Sequence, residues 1–315
     1  MDNDKLKVLY IAGSGRSGST ILQNILEQLD GFSAIGELRY VWERGLIKNK
    51  LCGCGLPVRE CVFWQDVMQE AFGGLDQIDA GEMSRLIESF RMQDLPRSLV
   101  PSVRQREIAR LQPCLENLNK LYQAIQATTG SRVVVDSSKN PSYGYLLQFI
   151  PAIDFYVLHF TRDSLGVAYS WSKTKEFQPG DKMARKAPGK SALQWNARNL
   201  AAEMFLRQKP ERYMRLRYED FIDNPRKSVV AIMNLLAEEP INLPFTSTHT
   251  VELSQANHSV FGNPVRFQNG LVTLRLDNKW QAKMNRSQKL AVTALTWPLR
   301  LKYGYPRRVS RPANT

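Results

Sequence analysis

The fold is decided by Val8-Leu9-Tyr10-Ile11-Ala12-Gly13-Ser14-Gly15-Arg16-Ser17-Gly18-Ser19-Thr20, in which a short apolar run leads into a glycine-rich turn. The apolar run predicts a buried β-strand. Apolar residues then recur at helical spacing and form one stripe, which predicts a helix: Ile21, Leu22, Ile25, Leu26 and Leu29. Glycines let the backbone of the turn approach a ligand closely, and the helix start presents unpaired N–H groups. The stretch therefore predicts a site for a phosphate-like anion.

Further strands are predicted along the chain, each a short apolar or β-branched run before turn residues: Phe32–Ile35, Arg132–Asp136, Phe155–Thr161 and Arg212–Arg217. The intervening segments are mainly helical and include Glu82–Met92 and Val103–Ala127. In the second of these, Pro113 must start, end or kink a helix. Strands joined by helical crossovers form a parallel sheet that is covered by helices. The predicted fold class is therefore α/β, with a P-loop-like central parallel β-sheet.

Length and composition set the wider limits. The 315 residues suit one large domain, which we place at 1–304, with a helical insertion at about 45–130 and a basic flexible tail at 305–315. Lys plus Arg number 43 against 30 Asp plus Glu, and the resulting charge of +13 favours an anionic partner. No apolar run approaches the roughly 18 residues of a spanning helix, and the N-terminus does not read as a signal peptide. We therefore expect a cytoplasmic protein without a membrane span.

The glycine-rich turn fits neither standard nucleotide loop. Gly13 and Gly18 have the spacing of a Walker A loop, but Ser19 stands where that loop has its lysine, and the cation is Arg16 instead. The dinucleotide pattern G-x-G-x-x-G is present, but the acidic residue expected about 20 residues later is not convincingly placed. Asp136 ends a strand in the manner of a Walker B aspartate. Without the Walker lysine, we interpret Asp136 as positioning its loop or orienting Lys139.

The Arg16–Thr20 run resembles the 5′-phosphosulfate loop of sulfotransferases that use 3′-phosphoadenosine 5′-phosphosulfate (PAPS). The match is to the branch with Arg in the loop, which includes carbohydrate and protein-tyrosine sulfotransferases. Thr161-Arg162-Asp163, with Ser170 eight residues after Arg162, is similar to the family's 3′-phosphate pair. Arg217-Tyr218-Glu219-Asp220 looks like its R-Y-E-D segment, and Gly262–Trp280 like its nucleotide-covering loop. These motifs span the nucleotide-binding scaffold but not the helical stretch 45–130.

The resemblance implies which residues bind PAPS. We expect the 5′ side to be held by the turn, the 3′-phosphate by Arg162 and Ser170 with Lys175 assisting, and the nucleotide to be walled by later residues. The full expected set is Gly15, Arg16, Ser17, Gly18, Ser19, Thr20, Arg162, Ser170, Lys175, Tyr218, Ser259 and Arg266. The implied reaction is sulfuryl transfer to a hydroxyl of a small-molecule, natural-product or sugar acceptor. It requires no metal, because side-chain cations can neutralise the less charged sulfuryl group.

The same resemblance implies three catalytic residues. Gly36-Glu37-Leu38-Arg39 is similar to the G-E-x-R element of this branch, whose glutamate is the general base. Lys139 is similar to a catalytic lysine of the tyrosine-sulfating branch, and Arg16 would stabilise the leaving phosphate. Other interpretations remain: Glu37 capping the next helix, Lys139 as a surface lysine, and a histidine base. Of the three histidines, His159 lies in an apolar strand, whereas His249 and His258 lie in late loops, where His258 could line the nucleotide site.

Three cysteines cluster at Cys52, Cys54 and Cys61, and Cys114 stands apart. Reduced cysteines packed in a loop, a disulfide, and a zinc site with a distant fourth ligand are all compatible with this spacing, and no histidine lies near the cluster in sequence. Two other functions also compete with sulfuryl transfer. A P-loop kinase using ATP and Mg²⁺ would share the loop spacing, and a nucleic-acid binder would share the positive charge. The basic residues are scattered, without an aromatic-interleaved stripe, which disfavours nucleic acid.

Overall fold

The computed structural model describes residues 5–174, 176–178, 181–182, 184–253 and 257–305. Its centre is a five-stranded, all-parallel sheet of strand order β2-β3-β1-β4-β7. The strands are β1 (Leu6–Ala12), β2 (Phe32–Gly36), β3 (Val133–Asp136), β4 (Ile153–Thr161) and β7 (Tyr213–Arg217). The α/β class and all five strands predicted from the apolar runs are confirmed.

The central strand β1 shows why both faces of the sheet are covered. Leu6, Val8 and Tyr10 belong to the hydrophobic core on one face, whereas Leu9 and Ile11 belong to the core on the other. All five side chains are at most 1% exposed. Successive side chains of a strand point to opposite faces, so a continuous apolar run requires helices on both sides.

The first face is covered mainly by the helical stretch between β2 and β3. It contains α2 (Val62–Phe72), α3 (Ala80–Ser89), α4 (Pro101–Arg110) and α5 (Gln112–Thr129), and α6 (Pro141–Leu147) follows β3. Pro113 lies in the first turn of α5, where its missing N–H costs no helical hydrogen bond. The helical segment predicted over Val103–Ala127 is therefore divided into two helices, and Pro113 starts the second of them. A π-helical segment, Val41–Ile47, leads from β2 into this stretch, between the 3₁₀ turns Leu38–Tyr40 and Val58–Glu60.

The second face packs against α1 (Ser19–Leu26), whose apolar stripe is buried as predicted. After β7 come α9 (Tyr218–Asp223) and α10 (Pro225–Leu235), then the antiparallel pair β8 (Thr250–Leu253) and β9 (Gly270–Thr273). Four further helices pack against one another: α7 (Ser164–Ser172), α8 (Pro188–Leu206), α11 (Trp280–Lys283) and α12 (Arg286–Lys302). Of these, α8 also packs into the core on the first face. Glu176–Gln178 and Asp181–Lys182 form the short strands β5 and β6.

The end of the described chain packs with the domain. Tyr305 is 3% exposed, and its hydroxyl donates to Thr161 and Glu219. The remainder of the tail predicted at 305–315 lies outside the described residues. Within the described ranges, no helix combines the length and the apolar character that crossing a bilayer requires.

Candidate active site

A cleft of about 610 Å³ opens at the carboxyl edge of the sheet. The chain that leaves each of the five parallel strands contributes to its wall: the turn Gly15–Thr20 after β1, Glu37 after β2, Ser138–Asn140 after β3, Arg162 after β4 and Tyr218 after β7. In an open parallel sheet this edge is where ligands bind, because the strand ends and the helix N-termini converge there. The predicted phosphate turn and the predicted 3′-phosphate pair therefore face one cleft.

Two glycines are required by the shape of the phosphate turn. Gly13 has a φ of 119°, and a Cβ there would lie 2.5 Å from the carbonyl oxygen of Phe160. Gly18 caps α1 with a φ of 87°, and its Cβ would lie 2.6 Å from the ring of Tyr218. Only glycine avoids both the left-handed strain and the collision at these positions. The turn is consequently pressed against β4 and Tyr218, and its amides are presented to the cleft.

Arg16 is strained and incompletely paired. Its φ is 70°, which is unusual for a residue with a side chain, and its guanidinium lies 4.8 Å from the Trp171 ring centroid. None of its three guanidinium nitrogens finds a hydrogen-bond partner among the described residues. Burial lowers the pKa of Arg16, with the Glu37 charge opposing this effect. A buried cation with unsatisfied donors facing a cleft fits an anionic ligand.

The hydroxyls of the turn have different surroundings. Ser19 and Thr20 line the cleft, and Ser19 Oγ accepts a hydrogen bond from Lys139 Nζ at 3.1 Å. Ser17 is 1% exposed, and its hydroxyl has no partner in the described part of the chain. The side chain of Ser17 does not line the cleft that the described residues form.

Glu37 and Lys139 form an ion pair in the cleft wall, with 3.0 Å between Lys139 Nζ and Glu37 Oε1. Lys139 Nζ also donates to the carbonyl oxygen of Ser137 at 2.7 Å, and the residue has a φ of 57°. Glu37 occupies the N-cap position of the short 3₁₀ turn, but its side chain makes no capping hydrogen bond. The carboxylate is therefore held by the lysine at the cleft surface, which does not favour a capping role.

Asp136, the last residue of β3, holds the turn that carries Lys139. Burial raises its pKa to about 6, and it accepts hydrogen bonds from the Tyr122 hydroxyl at 2.6 Å and from the Ser138 amide at 2.8 Å. The Ser138 hydroxyl donates to the same carboxylate at 2.5 Å. Asp136 therefore holds the turn that carries Lys139, as we interpreted its Walker B-like position.

Arg162 connects several parts of the cleft. Its guanidinium donates to the carbonyl oxygen of Arg16 at 3.3 Å and to the carboxylate of Asp277 at 3.1 Å, and it lies 4.7 Å from the Tyr218 ring centroid. Ser170, in α7, lines the same cleft. The structure therefore brings Arg16, Arg162, Ser170 and Tyr218 together.

Sequence reasoning missed part of the positive lining. Lys186 lies 3.5 Å from the Trp171 ring centroid, and burial, followed by the charges of Arg198 and Arg16, lowers its pKa to about 8. Arg198 in α8 also lines the cleft. The segment around Lys186 reads as a basic solvated loop, and only the fold shows that it crosses the cleft. Lys175, predicted to assist at the 3′-phosphate, lies outside the described residues.

Two predicted nucleotide ligands do not reach the cleft. Arg266 is 1% exposed and donates to the carbonyl oxygens of Ser259 and Leu51. Ser259 is fully buried, and its hydroxyl donates to Asn257 at 2.5 Å. Both residues stabilise the loop behind the wall: Arg266 satisfies buried backbone carbonyls, and Ser259 bonds the side chain of Asn257. The same loop supplies Phe261, Gly262 and Asn263 to the cleft instead.

The three histidines lie outside the lining of the cleft. His159 is fully buried, and its ring nitrogens contact the Tyr213 hydroxyl and Asn199, as expected for a core side chain. His249 lies 3.2 Å from the carbonyl oxygen of Asp223. His258, one possible residue of the nucleotide site, points toward Cys52 and Cys61 instead. Glu37 is consequently the candidate base that the fold brings to the cleft.

Known proteins share this sequence pattern and fold. The family model described as "Sulfotransferase family" matches residues 9–240. The sulfotransferase domain from the Synechococcus PCC 7002 olefin synthase has a similar fold at 20% identity and a TM-score of 0.52, over 96% of this chain and 97% of that one. The sulfotransferase domain from the curacin biosynthetic pathway is similar at 16% identity and a TM-score of 0.53, over 96% and 99%. No curated protein sequence matches significantly.

The family match covers four of the five sheet strands completely and most of β1, together with each strand-end segment that lines the cleft. The chain therefore belongs to the sulfotransferase family, and its reaction class is the transfer of a sulfuryl group.

Proposed function

We propose that the enzyme transfers the sulfuryl group of PAPS to a hydroxyl of a small-molecule or carbohydrate acceptor. The observation that carries this proposal is the common cleft of Arg16, whose guanidinium lacks partners among the described residues, and Arg162. PAPS is an anion at both its 5′ and its 3′ positions, so it can engage two such cations at once. A nucleoside triphosphate and a dinucleotide without a 3′-phosphate carry no anionic group at the 3′ position, so they need no second cation there.

The binding mode follows from the two groups of residues. The turn Gly15–Thr20 binds the 5′-phosphosulfate through its backbone amides, the hydroxyls of Ser19 and Thr20, and the Arg16 guanidinium. Arg162 and Ser170 bind the 3′-phosphate. For Arg162 to do so, the phosphate takes the place of Asp277, whose carboxylate is 42% exposed and pairs with Arg162 at 3.1 Å. Tyr218 walls the nucleotide beside this pair.

The chemical step is an in-line displacement at sulfur. The acceptor hydroxyl oxygen forms a bond to sulfur, while the bond between sulfur and the bridging oxygen of the 5′-phosphate breaks. Glu37 accepts the hydroxyl proton as the bond forms. Arg16 and Lys139 stabilise the negative charge that develops on the departing phosphate, so that 3′-phosphoadenosine 5′-phosphate (PAP) leaves. Side-chain cations supply the charge that a metal supplies in phosphoryl transfer.

Aromatic rings in the cleft lining favour a hydroxylated ring as acceptor. The Tyr40 and Phe261 rings lie edge to face with 5.2 Å between their centroids, and the Arg44 guanidinium lies 4.0 Å from the Phe261 centroid. Aromatic faces bury the apolar side of a sugar or of a cyclic natural product, while an adjacent cation binds its polar substituents. Tyr40 and Arg44 come just before the helical stretch 45–130, and Tyr40 packs against the hydrophobic core to which that stretch contributes.

The donor is tested by comparing ligands and activities. In a thermal-shift titration, PAP should stabilise the protein more than ATP with Mg²⁺ or NAD at equal concentration. Sulfuryl transfer from PAPS to a panel of phenols and sugars should continue in EDTA. A larger shift with ATP, together with phosphorylation that stops in EDTA, would instead establish a kinase and refute the proposal.

A further inference from the structure

The fold assembles a cluster of metal-ligating side chains outside the cleft. Cys52, Cys54 and Cys61 meet His258, although the histidine follows Cys61 by 197 residues. The three sulfur atoms and a ring nitrogen all lie within 4.8 Å of one another. The separations are 3.6 Å from Cys54 Sγ to Cys61 Sγ, 3.3 Å from Cys61 Sγ to His258 Nδ1, and 3.8 Å from Cys52 Sγ to the same nitrogen.

The three shortest of these separations are close to those between the ligands of a tetrahedral metal site. Zinc bonds of about 2.3 Å to sulfur and about 2.0 Å to nitrogen place tetrahedral ligand atoms roughly 3.5–3.8 Å apart. A disulfide would need its sulfur atoms about 2.05 Å apart, so the 3.6 Å between Cys54 and Cys61 describes two thiols or two thiolate ligands. The donor set of three sulfurs and one imidazole is one of the common sets of structural zinc sites.

The backbone of the cysteine loop turns back on itself. The Cys52 amide donates to the Leu56 carbonyl oxygen at 2.7 Å, and the Gly55 amide donates to the Cys52 carbonyl oxygen at 3.0 Å. This tight loop holds the sulfurs of Cys52 and Cys54 beside that of Cys61.

The imidazole is fixed as a metal ligand would be. The Phe63 ring stacks on His258 at 4.5 Å between centroids with an interplanar angle of 13°, and Trp64 Nε1 donates to the His258 carbonyl oxygen at 3.0 Å. These contacts aim Nδ1 at the sulfur atoms of Cys52 and Cys61. The imidazole nitrogen is therefore already directed at the cluster.

We infer that Cys52, Cys54, Cys61 and His258 bind one Zn²⁺ ion that fixes the cleft wall to the cysteine loop. Four protein ligands leave no open coordination position, so the metal is structural and takes no part in the sulfuryl step. It joins the cysteine loop to the segment that supplies Phe261 and Gly262 to the cleft, three and four residues after His258.

Other contacts join the same two segments and show why a strong link is useful there. The Gly53 amide donates to the Ser259 carbonyl oxygen at 2.9 Å, and Arg266 Nη2 donates to the Leu51 carbonyl oxygen at 2.7 Å. A Cβ on Gly53 would lie 2.0 Å from Asn257 Oδ1, so the two segments are in close contact. A bound metal would add a further link to these contacts.

The direct test measures the metal content of the reduced, full-length protein purified without chelator or added metal. The inference predicts about one zinc per chain by plasma mass spectrometry. It also predicts that cobalt substitution gives the thiolate charge-transfer band and the intense d–d absorption of a tetrahedral site. Cys61→Ala and His258→Ala should each lose most of the metal, whereas His258→Cys should retain it with a shifted cobalt spectrum. Cys114→Ala is the matched control and should keep the full zinc content, since Cys114 lies in α5 outside the cluster.

The wild-type protein keeps the inference testable if a variant fails to fold. Chelation of the wild-type metal should lower the Tm, and restored zinc should recover it. The inference is wrong if the purified protein holds no zinc and its reduced apo form gives no tetrahedral cobalt spectrum. A Cys54–Cys61 disulfide found by mass spectrometry in protein isolated anaerobically also overturns it. Metal content is measured without substrate, so its outcome is independent of whether PAPS is the donor.

Discussion

At the scale of single residues, the cleft concentrates backbone strain and incompletely paired charge. Arg16 and Lys139 both have positive φ values, 70° and 57°, and both side chains reach the cleft. Such conformations cost on the order of 1–3 kcal/mol, and they persist where the surrounding structure holds them for function. In this chain the two strained cations flank the residue that we propose as the base.

Glu37→Gln tests that residue directly. The substitution keeps the size of the side chain but removes the proton acceptor, so kcat should fall by about 10²–10⁴-fold with little change in PAP affinity. Glu107→Gln, at a surface pair with Arg110, is the control and should leave kcat unchanged. Unchanged turnover in Glu37→Gln removes this carboxylate from the mechanism.

Arg162→Ala tests the 3′ end of the nucleotide. Loss of a charge-assisted contact to phosphate should weaken PAP binding by about 10–100-fold. Affinity for adenosine 5′-phosphate, which lacks the 3′-phosphate, should change little. Calorimetric titration of both ligands separates the two effects. Equal weakening of both nucleotides would mean that Arg162 only maintains the shape of the cleft through Asp277 and Arg16.

The lowered pKa of Lys186 predicts that donor binding depends on pH. Burial and neighbouring cations lower its pKa to about 8, from 10.5 in its unperturbed state, so the free enzyme loses this charge as the pH rises through that value. A bound anion favours the charged ammonium form of Lys186. The Kd of PAP should therefore rise above pH 8, by up to about tenfold per pH unit, until the pH reaches the pKa of Lys186 in the complex. Lys186→Arg keeps the charge and should flatten the curve between about pH 7 and pH 9. An identical slope in both proteins would assign the titration to another group.

At the scale of elements, short apolar or β-branched runs predicted the five strands of the sheet. Strands β1, β2 and β3 are buried along almost their whole length, whereas the edge strand β7 is only partly buried. Local patterning left open whether Pro113 starts, ends or kinks a helix, and the fold selects a helix start. The π-helical segment Val41–Ile47 and the pair β8–β9 were not predicted. Their positions depend on contacts with distant parts of the chain, which local spacing does not record.

Gly18→Ala tests the turn between β1 and α1. Alanine at a φ of 87° is strained and its Cβ would collide with the Tyr218 ring, whereas Gly73, with a φ of 82°, has no atom within 4 Å of its Cβ position. Gly73→Ala should cost about 1–2 kcal/mol of unfolding free energy from the backbone alone. Gly18→Ala should cost about 1–3 kcal/mol more and should weaken PAP binding. Urea unfolding measures the loss of stability, and calorimetry measures the PAP affinity. Equal losses of stability in the two variants would show that the Tyr218 ring does not constrain the turn.

At the scale of the whole molecule, the fold gathers a small part of the net charge of +13 into one cleft. The predicted cations Arg16, Lys139 and Arg162 lie at strand ends, which sequence can locate. Arg198 and Lys186 reach the same cleft from a helix and a loop whose packing only the fold reveals. For the same reason, sequence left open whether His258 lines the nucleotide site, whereas the fold brings it to the cysteines.

The placement of a bound nucleotide tests the central claim most directly. In a crystal structure of the complex with PAP, the 5′-phosphate should accept hydrogen bonds from the amides of Ser17–Thr20 and from Arg16. The 3′-phosphate of the same molecule should contact Arg162 and Ser170. PAP bound in the reverse orientation, or with its 3′-phosphate away from Arg162, would contradict the account.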